Sequence, residues 1–117
     1  MQRRVVLLLS AFVLIASVVT ANDRAKAKEQ VEFGIKVAQN GLWNEALYRW
    51  KRAVDLDPTY AAAWNNLAIA YEHEGRFEEA KQAYDKALQL DEKNMYIRQN
   101  YDLFKEINER TKRRSAR

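Results

Sequence analysis

Shifted by 34 residues against itself, the sequence superimposes Ala27 on Ala61, Ile35 on Ile69, Gly41 on Gly75, Glu45 on Glu79, Ala46 on Ala80, Ala53 on Ala87, Leu56 on Leu90 and Asp57 on Asp91. These eight identities in 34 pairs compare with about two expected from composition. Similar pairs fall in register with them: Phe33 with Leu67, Gly34 with Ala68, Trp43 with Phe77 and Trp50 with Tyr84. A period of this length means that one small structural unit is made twice and that neighbouring copies bury each other's apolar faces.

The unit is helical. Ala80, Ala83, Tyr84, Ala87 and Leu88 recur at i, i+3, i+4, i+7 and i+8, one apolar stripe along a helix, and Ala46, Trp50, Ala53 and Val54 repeat it. Gly41 and Gly75 stand where the first helix of each unit must end in a left-handed residue. Pro58 pushes Asp57 out of helical conformation and so ends the second helix. Thr59 and Asn94 are expected to cap the helices that follow. Gly34, Ala46, Ala68 and Ala80 are small where paired helices cross.

The run Trp64-x2-Leu67-Ala68-x2-Tyr71-x8-Ala80-x3-Tyr84-x2-Ala87 resembles the pattern of the tetratricopeptide repeat family, whose period is also 34. The resemblance covers 68 residues, with Glu92 in place of the family's terminal proline and Gln30 where the first repeat would often carry tryptophan. It implies an all-α superhelix, a solenoid of two helical hairpins over residues 27–60 and 61–94. Ile97, Tyr101, Phe104 and Ile107 add a helical stripe, read as a capping helix over 95–109 that closes the open end of the stack. Residues 22–109 thus make the repeat domain. Two units and a cap promise modest stability alone, so a resident partner or a homo-oligomer fits the pattern.

Arg3 and Arg4 precede an uncharged run from Val5 to Ala21 that ends in Val19-Thr20-Ala21. A basic start, an apolar stretch and small residues before a scissile bond are the layout of a signal peptide cleaved after Ala21. The run also reaches the lower length for spanning a bilayer, so an N-terminal hydrophobic helix retained as a membrane anchor is the alternative. Either way the expectation is export: a periplasmic or secreted protein if cut, otherwise one held at the membrane, in a bacterial cell envelope. At the other end, Arg110, Lys112, Arg113, Arg114 and Arg117 form a basic tail over 110–117, read as a solvated end or as a tether to anionic lipid or an acidic partner. The body between carries 13 basic and 16 acidic side chains.

The residues offer little to chemistry. Without cysteine the chain has no thiol nucleophile, disulfide or thiolate metal site. Its single histidine, His73, has too few companions for a metal and reads as a surface residue. Glu78 and Glu79 are consecutive, so they diverge on a helix and suit its first turn better than acid–base work. No enzyme and no cofactor are expected, and nucleic acid is disfavoured.

What the family resemblance implies instead is a groove lined by the first helix of each repeat. Its positions correspond here to Lys28, Val31, Ile35 and Ala38, then to Ala62, Asn65, Asn66, Ile69 and Glu72, with Tyr96, Gln99 and Leu103 continuing the row on the cap. Apolar side chains there would supply affinity and amides would bond a peptide backbone. Packing against neighbouring helices is the competing role for Ile35 and Ile69. The family's grip on a chaperone's C-terminal carboxylate needs Lys and Asn where Val31 and Ile35 stand, and basic residues where Tyr96 and Asn100 stand, so that activity is not expected. The predicted role is a non-catalytic adaptor that holds a protein or peptide, with self-assembly and membrane tethering as alternatives.

Overall fold

A computed structural model describes residues 18–117 as five α-helices. These are α1 (Ala21–Gln39), α2 (Trp43–Leu56), α3 (Ala61–His73), α4 (Phe77–Leu90) and α5 (Met95–Ser115). Among the described residues no strand is formed.

The two glycines close their helices as the spacing requires. Gly41 and Gly75 have φ of 78° and 71°. At the first, the Gly41 amide donates to the Ala38 carbonyl and the Leu42 amide to Val37, both at 2.9 Å. Gly75 and Arg76 repeat the arrangement on Glu72 and Tyr71. This paired capping of the last carbonyls turns the chain sharply, so α2 folds back on α1 and α4 on α3. Asp57 is extended, as Pro58 dictates, but its carboxylate receives the Thr59 amide and hydroxyl at 3.0 and 2.6 Å. Thr59 is therefore spent on the turn and does not cap α3, whose N-cap is Tyr60. Asn94 does cap α5, accepting from the Ile97 amide at 3.1 Å.

The helix axes approach where side chains are small. Ala46, Ala68 and Ala80 are fully buried. A Cβ built on Gly34 would lie 2.8 Å from Cδ1 of Trp50, so the indole occupies the space that a methyl group would need. Its Nε1 donates to the Val31 carbonyl at 3.2 Å, which ties α2 to α1. The second hairpin joins the first through Tyr71, which lies under Lys51 and Arg76 at 5.7 and 4.7 Å from its ring centre. An aromatic cluster then seats α5: Tyr84 stacks on Tyr101 at 5.3 Å and tilts against Phe104 at 5.5 Å, and Phe77 adds to the far side. Tyr101 also donates to Asp85 at 2.5 Å; burial, and then this bond, push its phenol up to about 12.

Two boundaries differ from expectation. Helix α1 begins six residues before the first repeat, because Thr20 and Asp23 form a reciprocal capping box. Helix α5 runs to Ser115, so most of the basic tail is helical, with Lys112, Arg113 and Arg114 in the last turn where the helix dipole favours cations. Arg110 pairs with Glu106 one turn back. Among the described residues no helix is long and apolar enough to cross a membrane. Most of the expected N-terminal hydrophobic helix falls outside the described residues.

Candidate protein-binding face

Helix α3 touches both α1 and α5; two depressions lie along α1 and α3, and a third lies between the end of α3, the start of α4 and α5. The first, about 320 Å³, is walled by Val31, Glu32, Ile35, Asn65, Asn66 and Tyr96, with Tyr60 and Asn94 closing its end. The second, about 220 Å³, shares Ile35 and Asn66 with the first and adds Ala38, Ile69 and Trp43. The third starts at Glu72, one turn past Ile69, and continues over His73, Phe77, Phe104 and Ile107.

This geometry sorts the expected residues. Ile35, Ala38, Ala62, Asn66, Ile69 and Tyr96 line the first two depressions, Ile35 and Tyr96 being 40% and 63% exposed. Glu72 belongs to the third. Lys28, Gln99 and Leu103 are exposed outside all three. Val31 and Asn65 need correction as freely accessible groups, since both are buried and contribute only to a wall. Asn65 accepts from Asn100 of α5 at 3.2 Å and donates to Asn66 at 3.4 Å, so its amide links helices. A nearly closed amide in such a place needs partners, and these supply them.

Missed from sequence were Glu32, Tyr60 and Asn94. The signal was present: Glu32, Asn66 and Asn100 are one repeat apart, as are Tyr60 and Asn94. Burial raises the Tyr60 phenol above its ordinary range, and the nearby charges of Glu32 and Asp57 push it the same way. In the third depression burial raises the Glu72 carboxyl, partly offset by the Tyr84 hydroxyl that donates to it at 3.1 Å. His73 is exposed, as expected, and its ring lies on the face of Trp43. Glu79 is held below the carboxylate range first by its hydrogen bond from Arg76, 2.8 Å from Nε, and it ends up in a helix-start ion pair. Among the described residues no three acidic or histidine groups gather to hold a metal.

A tetratricopeptide repeat model matches residues 61–94, and a second repeat model of the same family matches 37–75. The chain belongs to the tetratricopeptide repeat family. The tetratricopeptide repeat domain of Arabidopsis OM64 shares the fold with a TM-score of 0.69 at 24% identity, over 77% of this chain and 74% of that one. Uncharacterized protein MJ0572 of Methanocaldococcus jannaschii is 31% identical over 66% of this chain and 90% of its own length. Photosystem I assembly protein Ycf3 of Rippkaea orientalis is 40% identical over 56% of this chain, and the peroxisomal targeting signal receptor of Candida albicans 34% identical over 66%. The chain spans 41% and 13% of those two relatives' lengths. Tetratricopeptide repeat proteins are generally scaffolds without catalysis.

Proposed function

We propose that this tetratricopeptide repeat chain is an adaptor that holds a segment of a partner protein along the face of α1, α3 and α5, at the membrane or beyond it. The observation that carries the reading is the continuity of the first two depressions through Ile35 and Asn66, which combine exposed aliphatic surface with side-chain amides. Buried aliphatic area supplies affinity, and amides satisfy the backbone of a chain that brings no partner strand of its own. An assembly protein and a targeting-signal receptor among the relatives accord with it. The location rests on the uncharged run that follows Arg3 and Arg4.

The test is affinity capture from native membranes with the full chain and with Ile35→Glu, a substitution at an exposed position whose fold is checked by circular dichroism. A specific partner retained by the first and lost by the second supports the reading, whereas a partner set unchanged by the substitution removes it. N-terminal sequencing of the recovered protein tests the location: a start at Asn22 means cleavage and an intact Met1 means an anchor.

A further inference from the structure

The binding face is selective in charge. The chain carries 20 lysines and arginines against 16 acidic residues. Yet among the described residues no lysine or arginine lines any of the three depressions, and the carboxylates there are Glu32 in the first and Glu72 in the third. The cations lie elsewhere, several of them engaged: Arg49 with Glu45, Arg76 with Glu79, Lys81 with Asp85 and Lys105 with Asp102. The face is thus apolar with an acidic edge on a chain whose net charge is +4.

From this we infer that the partner segment carries lysine or arginine beside aliphatic residues and meets Glu32 with its cation. The inference rests on the adaptor reading above and names the chemistry of its partner. An aliphatic side chain fills the space between Ile35 and Val31 while a neighbouring cation reaches Glu32 at the rim of the same depression. Opposite charges across such an edge add to selectivity more than to affinity, because an acidic segment in the depression meets the Glu32 carboxylate, while Lys28 and Lys36, one turn to either side on α1, do not line it. The Tyr60 hydroxyl and the Asn66 and Asn94 side chains add neutral polar groups, and among the described residues that line the depression Glu32 is the one charged group. A free C-terminal carboxylate finds no lysine or arginine among the described residues that line the three depressions.

Three labelled, end-capped nonapeptides test this, each with two leucines in a Gly/Ser background and with Lys, Gln or Glu at two further positions. Fluorescence anisotropy with the full chain is expected to rank them Lys, Gln, Glu, with about five-fold between the first two in low salt. Glu32→Gln should abolish most of the Lys-over-Gln preference while leaving the Gln peptide unchanged. General attraction by the net positive chain predicts the reverse ranking, so the expected order isolates the local site. Equal affinities, or a Glu peptide that binds best, overturn the inference. If binding is then still lost in Ile35→Glu, the adaptor reading survives it. Failure of all three peptides to bind also overturns the cationic assignment, and the partner capture described above judges the adaptor reading separately.

Discussion

Trp43, the first residue of α2, and His73, the last of α3, lie face to face with ring centres 3.5 Å apart and planes 14° apart. The stack bridges the two hairpins at the edge of the binding face, where Trp43 also lines the second depression and His73 the third. A double-mutant cycle of Trp43→Ala and His73→Ala should show a coupling of about 0.5–1.5 kcal/mol in urea unfolding. Strict additivity would mean that the two rings ignore each other in solution.

The clash between a methyl at position 34 and the Trp50 indole makes Gly34→Ala costly. Alanine favours a helix by about 1 kcal/mol over glycine, but overpacking costs about 1–3 kcal/mol and displaces the indole from the Val31 carbonyl. The net expectation is a loss of stability. The second repeat holds Ala68 and Tyr84 at the equivalent positions, so Trp50→Tyr should recover part of the loss when added to Gly34→Ala. Unfolding midpoints of the two variants check both halves of this statement.

Removing the Asn100 amide leaves the Asn65 oxygen without its donor from α5. Asn65 is only 1% exposed in the intact fold, and Asn100→Ala should cost about 1–3 kcal/mol. The double variant with Asn65→Ala should cost less than the sum of the singles. Chemical denaturation measures each.

Glu72 gives a pH signature. Its folded carboxyl is raised by burial, so the folded state holds the proton more tightly than the unfolded chain does. Stability contributed by this group therefore falls as pH rises from the ordinary carboxylate range through the raised folded value, and the remaining penalty persists at neutral pH. Glu72→Gln should raise the melting temperature at pH 7, and the gain should vanish in acid, where both chains are uncharged at this position. An equal gain at every pH would point to packing instead of ionisation.

The architecture was legible because its causes are local and repeated. Gly41, Gly75 and Pro58 act on their own backbone, and the stripes through Ala46 and Ala80 announce which side of each helix is hidden. Other features depend on what lies across a gap, which spacing does not report. Thr59 looked like a cap but found Asp57 two residues back a nearer partner. Asn65 occupies a groove position by count, yet α5 covers it and supplies Asn100. His73 met Trp43 from the other hairpin. Helix α1 gained its first turn from Thr20, a residue that the apolar run had assigned to the leader.

The cap at Thr20 sets an order for any cleavage after Ala21. The hydroxyl and amide of Thr20 are both bonded to Asp23, and the Arg24 amide donates to the Thr20 carbonyl, so the bond after Ala21 lies inside a closed helical turn. A peptidase that reads Val19, Thr20 and Ala21 needs them stretched out in its cleft. If it cuts there, it must do so before the turn closes, and the trimmed chain then starts its first helix with a free amino group and no Thr20 to hold it.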